Sequence, residues 1–391
     1  MQVFVGQVVA GLLSVIGVAK TAQFVGPKIF GFASISLVVC TVFVSFADFG
    51  ACSWAAREFA SSRINIRTYF FVMKSKGRIN LCILIFLPIF FFFFPHDLKW
   101  ICLLSMYPFL WNRFNYVQQL LISTERIREA VFLMIADRLC WLLIFPLAAL
   151  NFSRDLAFVL PILIGLIFQN FLSQRFMSES NEIQDQTQRL KTLELFVKSR
   201  HYGIIGISGV VSNLDSFAVG IVSSLESSGT YALGQRLRNP LSIVFNSIVI
   251  RIKPIAARRI HSEIVSSLKA DLRLIWLGVV SILAISLLAL RYADNVFGFK
   301  YEGIEEIMAI GTLSSLPFGF VLISTGLLSA IGLEKYVSRT HWYYSAALLF
   351  SVIWGVNYYG SLGGVVGSFS VICVYAVTSS IKLKQELEKL S

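Results

Sequence analysis

Apolar residues in this chain come in long unbroken runs. Residues 79–94 are interrupted only by Asn80 and Pro88, and residues 274–290 carry no charge at all. Apolar runs of about 18 residues or more are typical of membrane-spanning helices. The strands of a membrane barrel would instead alternate apolar and polar residues over roughly ten positions. The pattern therefore predicts an all-α polytopic membrane protein.

The apolar runs predict about twelve transmembrane helices. The predicted spans are 3–24, 29–50, 76–95, 98–122, 128–150, 154–176, 200–222, 229–251, 271–291, 305–332, 339–358 and 361–382. The stretch Met1–Ala19 has no basic residue before it and no evident small-residue cleavage site. We therefore predict that it belongs to the first span and is not a signal peptide.

Composition supports this class and orients the chain. Charged residues make up only 14% of the sequence and mean hydropathy is +0.72, whereas soluble domains are about a quarter charged. With both termini placed in the cytoplasm, the cytoplasmic segments hold 24 of the 34 basic residues, as the positive-inside rule requires. The outer segments hold Lys28, Lys99, Arg154, Arg291 and Lys300. The net charge of +12 therefore reflects topology and does not indicate nucleic-acid binding.

The chain divides into two similar halves. Residues 178–199 are polar, with apolar residues at helical spacing, and predict a cytoplasmic amphipathic linker between halves 1–177 and 200–391. Gly31-Phe32-Ala33 is echoed 198 residues later by Gly229-Thr230-Tyr231-Ala232. The segment 120–126 is echoed at an offset of 209 by 327–335. Parallel repeats of this kind are a transporter architecture, with the substrate path between the halves.

The cysteines and histidines do not predict a metal or redox site. The six cysteines are scattered along the apolar spans without a CxxC pair, which is typical of small buried hydrophobic residues. The four histidines are far apart in the sequence. No metal, no cofactor and no catalytic residue is expected. Glycines 203, 206 and 209 predict close helix packing in the seventh span.

Charged residues inside the predicted spans are the candidates for a substrate path, because charge is costly in a bilayer. Asp215 and Arg236 lie at similar depths on the seventh and eighth spans, so they either pair structurally or line a shared cavity. Arg238 points roughly the other way unless Pro240 distorts the helix.

A second set of path candidates lies on the fourth and fifth spans. Arg113 and Asp137 lie at depths in the membrane that match within about one helical turn, which predicts that they pair. Such a pair would leave Arg138 available for an anion. The alternative is a structural salt bridge. Arginine suits a diphosphate because its planar fork donates two parallel hydrogen bonds.

Three further charges are candidates for gating or coupling. Asp48 and Arg57 lie near the cytoplasmic end of the second span, where a gating ion pair competes with a solvated helix end. Lys20 lies near the outer surface, where the alternative is a snorkelling side chain.

Several motifs resemble those of the bacterial polysaccharide flippases, the Wzx-like family that exports O-antigen and capsule repeat units. Residues 19–31, AKTAQFVGPKIFG, resemble the family's A-R-x-L-G-P-x-x-F-G junction, with Lys20 in place of the usual arginine. Ala47-Asp48-Phe49-Gly50 and Arg57-Glu58 resemble its A-D-L-G and R-E motifs. Asn213-Leu214-Asp215 followed by residues 229–237 is similar to its D and G-x-Y-x-x-A-x-R region.

The resemblance covers the whole chain and implies a fold and a function. It implies a V-shaped transporter of two six-helix halves that moves an oligosaccharide on undecaprenyl diphosphate across the bacterial inner membrane by alternating access through a cationic central cavity. Membrane lipids, and a polymerase and chain-length regulator of the same pathway, are the implied partners. The coupling ion, proton or sodium, stays open.

Other functions remain as alternatives. A drug or lipid exporter of the same superfamily is the main one, although a drug exporter would favour acidic residues in its path. A major-facilitator carrier would show G-x-x-x-D-R-x-G-R-R after the second span, which is absent. A membrane polymerase or ligase would need a large outer loop, whereas the longest one here is about 291–304. A membrane glycosyltransferase would need an acidic motif, and none is visible.

Overall fold

A computed structural model describes residues 2–60, 64–92, 103–124, 126–178, 192–241, 243–257, 261–297, 301 and 303–389. Within these ranges the secondary structure is helical and contains no strand. The helices satisfy their own backbone hydrogen bonds, which a chain in hydrocarbon requires. The predicted all-α membrane class is confirmed.

Sixteen helices are present in the described residues. The first eight are α1 (Gln2–Val25), α2 (Pro27–Asp48), α3 (Ala51–Ala60), α4 (Ile66–Phe92), α5 (Tyr107–Ser123), α6 (Ile127–Asn151), α7 (Arg154–Ser178) and α8 (Thr192–Ser212). The other eight are α9 (Asp215–Val222), α10 (Leu225–Leu241), α11 (Ile243–Ala257), α12 (His261–Ala270), α13 (Leu272–Phe297), α14 (Ile304–Leu313), α15 (Ser315–Ala330) and α16 (Glu334–Glu388).

Seven helical segments among the described residues are long and apolar enough to cross a membrane. The longest of these, α16, has 55 residues and contains non-helical backbone at Tyr359 and Gly360. It therefore comprises two helices, and the break lies between predicted spans 339–358 and 361–382. The remaining predicted spans correspond to α1, α4, α5 and the consecutive pair α10 and α11.

Two helices occupy segments that the hydrophobic pattern left as cytoplasmic loops. Helix α3 buries Ala51, Cys52 and Ala55 in a cluster with Tyr69 of α4 and Tyr116 of α5. Helix α12 likewise buries Ile264. Both have 10 residues, too few to span a bilayer, so a search for long apolar runs passes over them.

The predicted linker at 178–199 is only partly described. Residues 179–191 lie outside the described residues. Helix α7 continues to Ser178, and α8 begins at Thr192, well before the predicted start of the seventh span at residue 200. The added part of α8 is amphipathic: Leu195 is 1% exposed, and Lys198 pairs with Glu194 at 2.8 Å. The span prediction stopped short of this part because its charged residues interrupt the apolar run.

The contacts group the chain into two compact units. Unit 1 comprises Val3–Ser34 with Val211–Ser391, and unit 2 comprises Ile35–Val210. The core of unit 1 includes Tyr231, Leu348 and Ile372. The core of unit 2 includes a cluster of α3, α4 and α5 side chains and a second cluster around Leu133. The predicted division into halves 1–177 and 200–391, which concerns the sequence repeat, stays a prediction.

Candidate functional site

Helices α4 and α5 of unit 2 line a cavity of about 230 Å³. The lining residues recur every three or four positions on each helix, so they share one helix face. They are Met73, Lys74, Gly77 and Asn80 of α4, and Phe109, Asn112, Arg113 and Tyr116 of α5. Asn80 lies about 21 Å along α4 from Ile66, and Arg113 about 15 Å along α5 from Ser123. Asn80 lies in the predicted span 76–95 and Arg113 in 98–122, whereas Met73 and Lys74 lie just before the first of these spans.

The cavity is positively charged. Lys74 and Arg113 line it, and none of the described lining residues is acidic. Neither side chain forms an ion pair within the described part of the chain. Arg113 is half-buried and Lys74 is exposed, so they attract an anion less strongly than fully buried charges would. The sign of the charge in the lining still favours a ligand with negative charge.

Two buried asparagines, Asn80 and Asn112, are among the residues around the cavity. Asn80 is 1% exposed and Asn112 is 2% exposed. The side-chain nitrogen of Asn80 donates to the backbone oxygen of Lys76 at 3.1 Å, which fixes the orientation of that amide. The Oδ1 atoms of Asn80 and Asn112 have no donor among the described residues. Buried acceptors without donors are uncommon in native proteins, and an ordered water is their usual partner.

A hydrogen-bond network connects the cavity wall to the end of α2. The Tyr116 hydroxyl donates to Asp48 Oδ1 at 2.7 Å. The backbone N–H of Cys52, in the first turn of α3, donates to both carboxylate oxygens of Asp48 at 3.2 and 3.3 Å. Asp48 thus stabilises the start of α3, where unpaired N–H groups and the helix dipole favour an anion. The Tyr69 hydroxyl donates to the backbone oxygen of Tyr116 at 2.7 Å.

Lys76, the first residue of the predicted span 76–95, is a buried cation. The residue is 0% exposed, and its Nζ lies 4.0 Å from the centroid of the Phe196 ring. This ammonium has no hydrogen-bond acceptor among the described residues. The signal that could have found it is helical spacing, because Val72, Lys76 and Asn80 follow one another at i, i+4 on the buried face of α4.

The gating candidate Arg57 lies on α3 and donates to the Tyr202 hydroxyl of α8 at 2.7 Å. The neighbouring turn between α2 and α3 packs against the same segment. Gly50 has a positive φ of 70°, and a Cβ there would lie 2.2 Å from the backbone nitrogen of Gly203. The turn therefore requires glycine, both for its conformation and for this close approach. Whether Asp48 and Arg57 form a gate stays a prediction.

The predicted pair between Arg113 and Asp137 is wrong. The carboxylate of Asp137 lies 3.5 Å from the guanidinium of its neighbour Arg138. It also lies against α7, where a Cβ added to Gly165 would be 2.9 Å from Asp137 Oδ1. Equal depth did not bring Arg113 and Asp137 together because α6 turns this carboxylate toward α7. Arg138, which the prediction left available for an anion, contacts Asp137, and its role in the substrate path stays a prediction.

Among the candidates of unit 1, Asp215 has a defined hydrogen-bond environment. This residue is 3% exposed and accepts hydrogen bonds from the Tyr231 hydroxyl and the Ser216 backbone N–H, both at 2.7 Å. The guanidinium of Arg236 lies 5.0 Å from the centroid of the Phe30 ring. The predicted proximity of Asp215 and Arg236 stays a prediction.

The structure adds little about the two remaining candidates, Lys20 and Arg238. Lys20 is exposed on α1. The side chain of Arg238 lies outside the described residues. Their predicted roles in the path and in gating stay predictions.

Comparison with known proteins defines the fold. No family model matches the chain, and no curated protein matches it. Solved structures do. A mutant of the Vibrio cholerae MATE transporter VcmN has a TM-score of 0.74 at 13% identity, over 99% of this chain and 96% of that one. An outward-facing multidrug resistance MATE transporter of the MOP superfamily has a TM-score of 0.73 at 13% identity, over 100% and 95%.

A third solved structure shares the fold and is described by the polarity of its binding pocket. It is a MOP-superfamily transporter from Pyrococcus furiosus, with a TM-score of 0.72 at 11% identity, over 100% of this chain and 95% of that one. It is described as having a binding pocket of reverse polarity that suggests a different function. The chain therefore shares the fold of these transporter structures, and the predicted all-α membrane fold class is confirmed.

Proposed function

We propose that this protein moves an oligosaccharide linked to undecaprenyl diphosphate across the bacterial inner membrane by alternating access. The observation that carries the proposal is the cavity between α4 and α5, where Lys74 and Arg113 stand without an acidic residue among the described lining. A diphosphate and a sugar chain cannot cross hydrocarbon unaided, because each unpaired polar group costs several kcal/mol to bury. A cationic, hydrogen-bonding cavity lowers this cost.

The proposal includes the expected setting of the protein. Both termini lie in the cytoplasm, and the lipid tail of the substrate stays in the bilayer while the polar part passes through the protein. A polymerase and a chain-length regulator of the same pathway would use the exported repeat units. The protein itself transports and does not catalyse a reaction. The motif resemblance around Asp48 and Gly229 supports this assignment.

Drug export is the second candidate function. One of the fold neighbours is described as a multidrug resistance transporter. The carboxylates of half-buried Asp48 and buried Asp215 are the groups that a cationic drug would seek. Each carboxylate, however, already accepts a tyrosine hydroxyl at 2.7 Å. The cavity between α4 and α5 is lined by cations, which would repel a cationic drug. The Pyrococcus furiosus structure is described as having a binding pocket of reverse polarity, so pocket charge differs among proteins of this fold. We therefore favour an anionic substrate.

A gene deletion in the host bacterium separates these functions. We expect the deleted strain to lose surface polysaccharide and to accumulate lipid-linked repeat units on the cytoplasmic leaflet. Those units can be labelled in inside-out vesicles with a membrane-impermeant lectin. Susceptibility to ethidium is measured in the same strains. Full-length surface polysaccharide in the deleted strain, with no related flippase present, would contradict the proposal. Increased ethidium susceptibility with normal polysaccharide would support drug export.

Complementation then tests the cavity. Arg113→Ala should reduce export about tenfold or more, because a hydrogen bond to a charged group contributes roughly 1.5–3 kcal/mol. Arg113→Lys should restore part of it. Arg78→Ala is the matched control, since Arg78 is an exposed cation on α4 that does not line the cavity. Equal export by Arg113→Ala and Arg78→Ala would remove the cavity from the transport path.

A further inference from the structure

The first of the two helices in α16 packs on one side and is exposed on the other. Tyr344, Leu348 and Val352 belong to the core of unit 1. The exposed residues lie three, four or eight positions apart, so they share one face of the helix. They include Lys335, Arg339, Trp342, Phe350, Trp354 and Tyr358. This exposed face of α16 contacts whatever surrounds the protein.

One end of the exposed face is cationic. Lys335 and Arg339 lie there, and neither forms an ion pair within the described part of the chain. Glu334 is half-buried and lies about 140° around the helix from Arg339. Lys382 pairs with Glu386 at 2.8 Å, so these two charges offset each other. The exposed face therefore keeps two cations that an external anion can compensate.

The rest of the face matches the profile of a lipid bilayer. Residues 340–381 contain no Asp, Glu, Lys or Arg, and Phe350 in the middle of the face is 72% exposed. Trp342 and Tyr358 lie toward the two ends, and such residues concentrate at the interfaces between membrane and water. Arg339 lies about 28 Å along the helix from Tyr358, close to the roughly 30 Å of a hydrocarbon core. The face is therefore suited to lipid.

A second copy of this chain is a less suitable partner for the face. Two copies related by a two-fold axis along the membrane normal would bring equivalent residues to the same depth. The cationic ends would then face each other, and like charges disfavour such a contact. An anionic lipid headgroup instead compensates both cations.

We propose that the exposed face of α16 binds an anionic phospholipid, with its phosphate on Lys335 and Arg339 and an acyl chain along the apolar surface toward Phe350. In the predicted orientation the cationic end lies in the cytoplasmic leaflet, where anionic lipids attract basic residues. The inference concerns the lipid around the protein, so it does not depend on which substrate is transported.

Quenching of tryptophan fluorescence by lipids with brominated acyl chains tests the site, because Trp342 lies about one turn beyond Arg339. The chain has seven tryptophans, of which Trp54 and Trp141 are buried and are kept with Trp342 in a reporter protein. The reporter carries Trp100→Phe, Trp111→Phe, Trp276→Phe and Trp354→Phe. It is placed in phosphatidylcholine vesicles that contain increasing fractions of brominated phosphatidylglycerol or brominated phosphatidylcholine. The two quenching curves give the relative binding constant of the two lipids.

We expect phosphatidylglycerol to bind beside Trp342 at least fivefold more tightly than phosphatidylcholine. Arg339→Gln should lower this preference about fivefold, the contribution of one basic residue at an anionic lipid surface. Arg78→Gln is the matched control, because it removes the same charge from an exposed position on α4. It should leave the preference unchanged.

The other end of the same face supplies a second control. A reporter that keeps Trp354 and carries Trp342→Phe should bind the two lipids equally, since the nearest Lys or Arg in α16 is Arg339. Native mass spectrometry of the protein with all seven tryptophans measures the preference without these substitutions. There Arg339→Gln should retain less phosphatidylglycerol than Arg78→Gln.

Four results would overturn the inference. The first is equal binding of the two lipids beside Trp342, and the second is a preference that Arg339→Gln leaves unchanged. An equal preference at Trp342 and Trp354 is the third, because the attraction would then belong to the whole protein. The fourth is weak quenching of Trp342 by both lipids, which would show that protein covers the face, as in a dimer. Relief of the quenching by a small fraction of undecaprenyl phosphate would likewise overturn it and assign the face to the transported lipid.

Discussion

The close crossing of α2 and α10 in unit 1 makes Gly229→Ala a sharp test of the structure. A Cβ at Gly229 would lie 2.0 Å from the backbone oxygen of Pro27, and a Cβ at Gly31 would lie 2.1 Å from that of Leu225. Carbon and oxygen atoms approach to only about 3.3 Å even in short Cα–H···O contacts. The two helices must therefore separate by about 1 Å or more to admit one methyl group. Both glycines lie in the motifs that resemble the flippase family.

The expected cost follows from two opposing effects. Overpacking costs roughly 1–3 kcal/mol, and the upper end applies here because the obstructing atoms are backbone. Replacing a helical glycine with alanine recovers about 1 kcal/mol of helix propensity. The net destabilisation is about 2 kcal/mol. Unit 1 holds roughly 210 residues, and at about 2–4 °C per kcal/mol the melting temperature should fall by about 4–8 °C.

Thermal unfolding of the purified chain in detergent, followed by tryptophan fluorescence, measures this fall. Gly206→Ala is the control, because an added Cβ at Gly206 meets no atom within 4 Å. That variant should melt at the wild-type temperature or slightly above it, since only the propensity gain applies. A Gly229→Ala protein that melts no lower than wild type would refute the close crossing.

Three further predictions concern charged and hydroxyl groups. Tyr116→Phe removes the 2.7 Å hydrogen bond to Asp48 and should destabilise the protein by about 1.5–3 kcal/mol in the same melting assay, whereas Tyr358→Phe, at an exposed site, should not. Lys76→Met should leave the melting temperature unchanged or raise it, because it removes a buried ammonium without an acceptor among the described residues. A clear fall would show that the contact with Phe196 and the attraction to Asp48 together outweigh the desolvation. Arg236→Ala and Arg138→Ala should each reduce polysaccharide export, and lysine at either position should restore part of it; normal export by both alanine variants would assign them structural roles.

Apolar runs predicted the long helices well, because burial in lipid is a property of a segment and can be judged without its neighbours. The break between the last two predicted spans is an example, since non-helical backbone occurs at Tyr359 and Gly360. A search for long apolar runs misses the short helices α3 and α12. Each has 10 residues and is stabilised by packing on one face, so its apolar residues are too few to fill the window used to find a membrane span.

Contacts between helices could not be predicted in the same way. Matching depth paired Arg113 with Asp137, but depth leaves the rotation of each helix open, and α6 presents Asp137 to Gly165 of α7. Glycine spacing was equally ambiguous. Of the three glycines in α8, only Gly203 makes a close approach, to Phe49, while Gly206 and Gly209 have open space beside them. The partner surface decides which small residue matters, and a single sequence does not contain that information.

The network around Asp48 changes what a mutation at this position would mean. Asp48 belongs to a motif of the flippase resemblance, yet its carboxylate stabilises the start of α3 and holds Tyr116, which lines the cavity. Loss of transport in Asp48→Asn would therefore arise either from a gate or from a displaced cavity wall. Tyr116→Phe separates the two, because it releases the cavity wall and keeps the carboxylate. A defect shared by both variants assigns Asp48 to positioning the cavity, whereas a defect confined to Asp48→Asn assigns it to gating.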